Sequence, residues 1–583
     1  MSSDGSASEQ ALHARVRDGG FAVALSGGGH RATLATLGAL IALVDRGLGP
    51  KVIQVASVSG GSITNAFMAQ RGRIEKLGPG GLDGIAAELA GAIIGKGVLA
   101  NSWIAALLLV PVVLGVGAGA ALHIVIVPWP WLALVIGIAV VLAALIARGL
   151  AVEWLLDRRY FQPAGPVNGR RRAGRARLAS LAGRQVDHVF CMTDLVLGLP
   201  VYASGQHGGI MWRRLRAERH PVSGLSFQTF DAGQLAIAGL VRASAAFPGI
   251  PPRRLRIPPD ARIELVAESP PLAFLADGGL WNNLGSQVLR EDGFIGSHAA
   301  WDDGVLRPYG PAPKDVPLLC INGSAPLRPT QAWAFAVPGL ALLKSLLQVT
   351  EILNANTVLP RVDAMRRAFA RRVWTGQRPD HLDPADLVVD LRATEEIAWD
   401  YLAGTWSPEL IRRSDPSVKK WESEALMRVR LAREHAAENP ATDWLGYVLG
   451  PKAEPEGSFP VCGLANIDDW DALRRSPVWK ELIAKEGTGR VDAPTTLGRI
   501  EPALARRLIA RGYLNTYLVS LFLAPLAGDE LDRLALLPER LDRIVGLNAS
   551  RDEPSAHRGV APAREHPAAP GAEPPPRSRA AQA

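Results

Sequence analysis

Val52-Ile53-Gln54-Val55-Ala56-Ser57-Val58-Ser59-Gly60-Gly61-Ser62-Ile63-Thr64-Asn65-Ala66-Phe67 passes from an apolar run, through serines and glycines, into helical spacing. Val52 to Ala56 reads as a strand, and Ile63, Ala66 and Phe67 as one face of a following helix. Upstream the same order occurs once before. Phe21–Leu25 is a short apolar strand, Ser26-Gly27-Gly28-Gly29-His30-Arg31 is a turn, and Leu34, Leu37, Leu40, Ile41 and Val44 recur at helical spacing up to Asp45. Further strands are expected at His188–Met192, Val201–Ala203, Leu225–Phe227, Leu272–Leu275 and Val316–Ile321, and a helix over Gln234 to Ala246. Strands that alternate with helices predict an α/β fold with a mostly parallel, covered central sheet. From about Leu327 the pattern turns helical, at Val337–Leu353, Glu422–Glu438 and Leu497–Phe522.

Composition excludes several classes. The chain of 583 residues carries 64 Lys and Arg against 56 Asp and Glu, and 48% of it is hydrophobic. Such a chain builds an ordinary core, and a net charge of +8 over this length is too dilute to argue for nucleic acid. The three cysteines (Cys191, Cys320 and Cys462) are too few and too far apart for a disulfide framework or a zinc site, and they fit a reducing compartment. In the tail from Arg551 to Ala583, Ala and Pro supply 16 of 33 positions, which predicts disorder.

One stretch departs from this. Gly97 to Ala147 contains no Asp, Glu, Lys or Arg, and within it Trp103–Val127 and Trp131–Ala147 are apolar runs of 25 and 17 residues. Pro128-Trp129-Pro130 separates them. Crossing a bilayer takes about 20 apolar residues, so the pattern predicts a transmembrane helical hairpin. Lys96 on one side and Arg148, Arg158 and Arg159 on the other place both ends in the cytoplasm. Arg158 to Arg177 holds seven arginines and no acid; it reads either as a solvated linker or as a strip for anionic head groups.

The resulting plan is a polar N-terminal tail (1–20), a first core segment (21–96), the hairpin (97–157), a basic linker (158–186), a second core segment (187–325), a helical C-terminal region (326–525) and a partly disordered tail (526–583).

Chemistry enters at Ser59. A strand–turn–helix elbow exposes a serine Oγ at a helix N-terminus, and it needs small residues two before and two after because the backbone doubles back. Ser57-Val58-Ser59-Gly60-Gly61 meets that need, with Ser57 in place of the usual first glycine. The other registers fail: Ser57 has Val55 behind it, and Ser62 has Thr64 ahead. Gly27, Gly28 and Gly29 let backbone N–H groups converge on a negative oxygen, as a tetrahedral acyl intermediate requires. The loop lacks both the Walker lysine spacing and the dinucleotide glycine pattern. Arg31 lies just beyond, placed to fix the loop or to meet a head group. Asp277, in Ala276-Asp277-Gly278-Gly279, puts a carboxylate on a turn at the end of a strand.

Together these residues resemble the patatin-like phospholipases, bacterial type with an inserted hairpin. The family pattern is a G-G-G-x-R/K loop, a G-x-S-x-G serine and a D-G-G/A aspartate, matched here by Gly27–Arg31, Ser57–Gly61 and Asp277–Gly279. Thr193-Asp194-Leu195 with Gly198–Tyr202, and Arg242–Gly249, are similar to further family segments. The resemblance covers about Phe21–Gln70 and Asp187–Gly323. It implies a three-layer α/β fold and a Ser59–Asp277 dyad without histidine. Asp277 would act as general base, and Gly27, Gly28, Gly29 and Gly60 would form the oxyanion hole. No metal or other cofactor is implied. The implied substrate is a membrane lipid (phospholipid, lysophospholipid or acylglycerol), with the bilayer as partner, no nucleic acid, and the catalytic domain on the cytoplasmic side of an integral membrane protein. A solvated Asp titrates near about 3.9, so base strength at neutral pH requires desolvation. Two alternatives stand beside this. One is an α/β-hydrolase triad of Ser59, Asp277 and either His298 or His381. The other is a non-catalytic lipid-binding scaffold of the same fold.

Overall fold

A computed structural model of the chain describes residues 16–98, 135, 139, 148–162, 175–213, 227–246, 250–257, 272–290, 299–302, 305–308, 316–324, 357–362, 364–365, 386–394, 397, 472–473, 476–489, 491, 493 and 495–547. Twelve strands form one sheet: β1 (Phe21–Leu25), β2 (Val52–Ser57), β3 (Asp187–Asp194), β4 (Leu199–Ser204), β5 (Gly209–Arg213), β6 (Phe227–Asp231), β7 (Arg253–Arg256), β8 (Leu272–Asp277), β9 (Ala299–Asp302), β10 (Val305–Pro308), β11 (Leu318–Asn322) and β12 (Asp386–Asp390). The order is β12-β11-β1-β2-β3-β4-β5-β6-β10-β9, with β8 between β3 and β7. The five strands from β12 to β3 are parallel, as the alternating pattern predicts, and the sheet continues antiparallel from β3 outward.

Strand β3 is the hinge of this change, and it organises the site. Its first half pairs with β2, ending at Ser57 opposite Phe190. There β2 leaves the sheet, and β8 takes over the same edge, with Asp277 opposite Met192. Two residues of one strand span roughly 7 Å. The ends of the serine strand and the aspartate strand are therefore set side by side on one template.

Helices cover both faces. α1 (Gly29–Asp45), α2 (Ser59–Arg71) and α3 (Asp83–Gly95) pack over the face that carries Val23, Leu25, Leu319 and Ile321. The other face, with Ala22, Ala24, Leu318 and Cys320, is covered by Leu284, Leu289 and residues 358–365. α4 (Ile237–Ser244) follows β6. Every residue of α1 is buried, because a C-terminal helix, α5 (Pro502–Val519), lies along its outer side. The two backbones touch at glycines: a Cβ on Gly38 would collide with the Ile509 carbonyl, and one on Gly512 with the Ala35 carbonyl. The described part of the expected helical C-terminal region is thus part of the same core, while the helices expected at Val337–Leu353 and Glu422–Glu438 lie outside the described residues. After α5, α6 (Leu537–Val545) follows, and its Arg540 binds Asp45 and Asp83.

The expectation of an integral membrane protein is corrected. Among the described residues no helix is long and apolar enough to cross a membrane. α3, the helix before the uncharged stretch, has 13 residues and spans about 20 Å, short of the roughly 30 Å a bilayer core demands. The helix over 148–156 turns back into the core through Val152 and Leu156. Apart from Val135 and Ala139, the two expected spans lie outside the described residues. With the spans goes the assigned orientation. Of the described arginines of the basic stretch, Arg158, Arg175 and Arg177 are exposed, Arg158 stacking on Trp154, while Arg159 donates to the carbonyls of Gly97 and Val98.

Two further strand limits differ. The strand expected at Leu225–Phe227 runs instead from Phe227 to Asp231, because its register is set by pairing with Gly209–Arg213. β12, Asp386-Leu387-Val388-Val389-Asp390, is bounded by acids and gives too short an apolar run to read without its neighbour β11.

Candidate functional site

Ser59 begins α2 with φ 49°, and among the described residues it is the only non-glycine with positive φ. A β-carbon in that region is strained, and strain is kept where surrounding contacts over-determine it. Those contacts are identifiable. The Ser59 N–H donates to Ser244 Oγ at 3.0 Å, and the Ser244 hydroxyl donates to the Cys191 carbonyl of β3 at 2.7 Å. Gly60 backs onto the Gly29 backbone and Gly61 onto Leu25 so closely that a side chain at either would collide.

The neighbouring serines face inward. Ser57 Oγ donates to the Val189 carbonyl at 3.0 Å and accepts from Asn65 Nδ2 at 2.9 Å. Ser62 Oγ lies 3.1 Å from Ser57 Oγ and 2.8 Å from Ser244 Oγ. Both are fully buried, whereas Ser59 keeps 8% of its surface exposed. The serine that replaces the first elbow glycine is therefore a cross-link to β3.

The glycine loop meets the elbow directly. α1 starts at Gly29 and α2 at Ser59, so two helix N-termini converge on one point. Thr33 Oγ1 joins them, reaching the carbonyls of Gly29 at 3.1 Å and Gly60 at 2.9 Å. Among the described residues no acceptor takes the N–H of Gly28, Gly29 or Gly60. Gly27 differs: its N–H donates to the Asn283 carbonyl at 3.0 Å. Three of the four expected oxyanion donors are free, and Gly27 is committed to holding the loop against the aspartate turn.

Asp277 is 2% exposed. It accepts from the Gly279 N–H at 2.7 Å, and the Ser59 hydroxyl is its neighbour. Both groups favour the carboxylate, but burial outweighs them and pushes its pKa up to about 7. Desolvation thus sets the base strength that an exposed aspartate would lack.

Arg31 is buried and reaches the carbonyls of Gly323 at 2.8 Å and Ala493 at 2.9 Å. It fixes the loop, and burial removes it from contact with a lipid head group. His30 is held just as tightly: its Nδ1 donates to the Gly498 carbonyl at 2.7 Å, and its Nε2 accepts from Tyr160 Oη at 2.8 Å. Burial lowers its pKa to about 4, keeping the ring neutral. The His30 N–H in turn donates to the Thr496 carbonyl at 2.7 Å. Ala493, Thr496 and Gly498 therefore form a strap across the glycine loop, a feature with no signal in the sequence. Ser244 and Asn283 carry no distinguishing pattern either: Ser244 is a lone polar residue inside Arg242–Gly249, and Asn283 stands four residues beyond Asp277–Gly279. His298 and His381 lie outside the described residues. Of the described histidines, His30 and His188 are buried, and His188 donates to Asn65 Oδ1.

No family model matches the sequence, and no curated protein matches it. Among solved structures, that of VipD from Legionella pneumophila aligns over 93% of this chain and 94% of that one, at 13% identity and a TM-score of 0.23. An overlay at that score decides neither fold nor function.

Proposed function

We propose that the chain is a serine carboxylic-ester hydrolase acting on lipid acyl esters through a Ser59–Asp277 dyad. The observation that carries this is the pair itself: a serine on the one strained non-glycine turn among the described residues, beside a buried carboxylate raised to about 7. The lipid class rests on the resemblance of the five sequence segments.

In the reaction, Ser59 Oγ attacks the ester carbonyl carbon while its proton passes to Asp277. The oxygen gains a negative charge, which the N–H groups of Gly28, Gly29 and Gly60 stabilise at the meeting of two helix N-termini. Collapse breaks the ester C–O bond, and the leaving alkoxide takes the proton from Asp277 as an alcohol. Water then attacks the acyl-enzyme, Asp277 accepts its proton, and return of that proton to Ser59 Oγ releases the acid. Ser244, which holds the Ser59 amide, and Arg31, which holds the loop, act as positioning residues.

A fluorophosphonate probe tests the reading. Wild type should be labelled at Ser59, and Ser59→Ala should lose the label. Labelling retained at Ser57 or Ser62 contradicts it. Failure of the folded wild type to label or to hydrolyse any ester of an acyl-chain series favours the binding scaffold.

A further inference from the structure

On the far side of α4 from the elbow, guanidinium groups crowd around one carboxylate. Arg242, Arg253 and Arg175 approach Glu153 at 3.4, 3.5 and 3.8 Å. All three distances exceed the roughly 2.7–2.9 Å of a charge-assisted bond. Arg175 is also 3.9 Å from Asp157. Glycines make room for the cluster: a side chain on Gly149 would strike the Arg242 guanidinium, and one on Gly239 that of Arg253. Three cations thus stand near two carboxylates.

The donors are in excess. Arg242 Nε and Arg253 Nη1 are buried with no acceptor among the described residues, and the Arg242 side chain is only 8% exposed. Desolvation lowers the pKa of Arg242 despite Glu153, which marks it as an under-compensated charge. Unpaired buried donors are costly, and a fold keeps them where something else completes them. The Arg175 side chain, 54% exposed, leaves one side open to solvent. Tetrahedral oxyanions match this donor set, because guanidinium forks bind phosphate oxygens in pairs.

We infer that Arg175, Arg242 and Arg253 form a binding site for a phosphate group, carried either by a lipid head or by a free phosphate. Glu153 occupies the centre as a partial stand-in. The site is separate from the ester chemistry, so its test needs no turnover.

Thermal unfolding of the full chain is followed in inorganic phosphate and in chloride at equal ionic strength. Phosphate should raise Tm saturably and chloride should not. Arg253→Gln should weaken phosphate binding at least tenfold. Arg175→Gln, at the exposed side and harmless to folding, should weaken it at least threefold. Glu153→Gln, which removes the competing carboxylate, should tighten it several-fold. Equal curves in phosphate and chloride, or a phosphate response unchanged in both Arg175→Gln and Glu153→Gln, would overturn the site. Vesicles distinguish the source. Displacement of phosphate by phosphatidate vesicles but not by phosphatidylcholine vesicles identifies a lipid head, and no displacement by either identifies a soluble phosphate.

Discussion

The elbow and the glycine loop touch at Gly60 and Gly29, yet they are held in place by different means. The elbow is secured by its own surroundings: Ser57, Ser62 and Asn65 lie within a few residues of Ser59, and β3 and Ser244 supply the remaining bonds. The glycine loop has one local support, Thr33 on the Gly29 carbonyl. Its other fixed points are Asn283, Gly323, Ala493, Thr496 and Gly498, the last three from the far end of the chain. A motif can therefore be complete in sequence while half of it has no defined geometry until the C-terminal region docks. If the free N–H groups of the loop stabilise the oxyanion, residues remote from the chemistry should matter most on that side.

The largest effect tests whether the two halves meet in one reaction. Ser59→Ala and Asp277→Asn should each reduce kcat by about 10³-fold or more, whereas His298→Ala and His381→Ala should stay within about twofold. A histidine variant as inactive as the aspartate variant would replace the dyad with a triad. Asp277 also makes a pH prediction. With its pKa near 7, kcat/KM should rise with pH through a midpoint near 7. Because the folded value lies above the unfolded value of about 3.9, the fold favours the protonated form. That stability is fully present below about pH 4 and is lost as pH rises to about 7. Asp277→Asn should accordingly gain stability over wild type at pH 8 and show little difference at pH 4 in denaturant titrations.

Next in size is the strap. Arg31→Ala removes the bonds to Gly323 and Ala493 and should lower kcat by about 10²-fold with KM changed little, the signature of misplaced oxyanion donors. Equal loss in kcat and in binding would mean that the loop positions substrate instead. Ser244→Ala should cost less, about tenfold in kcat, since one hydrogen bond to the Ser59 amide is worth about 1 kcal/mol and the elbow has other supports. If Ser244→Ala proves more damaging than Arg31→Ala in steady-state kinetics, the contrast between the two halves is reversed. Tyr160→Phe is the smallest perturbation. It leaves His30 Nε2 unpaired and should destabilise by about 1–3 kcal/mol in chemical unfolding, with turnover reduced no more than about threefold.

Much of this site was legible because its parts are local. The Ser59 register follows from which neighbours are small, and the strand–turn–helix order follows from a change in apolar spacing over a dozen residues. The uncharged stretch before Ala147 shows where such reading fails. Apolar length alone predicted two membrane spans, but hydrophobicity does not say whether protein or lipid covers a segment, and the described helices on either side fold into the protein core. Ser57 gives a smaller example: in sequence it only stands in for the first elbow glycine, whereas in the structure it is a hydrogen-bonded link to Val189.

The sequence by itself determined the turns, since glycine at 27–29, 60 and 61 and serine at 59 constrain the backbone over a few bonds. It also determined which groups are candidates for chemistry. Only the tertiary structure decided that Asp277 and Ser59 are neighbours, because β2 and β8 succeed one another along β3. It alone decided that the Gly27 N–H is spent while those of Gly28, Gly29 and Gly60 are free, and that Asp277 titrates near 7. Proton affinity and donor availability depend on desolvation and on partners more than two hundred residues away, and neither is a property of the residues that carry them.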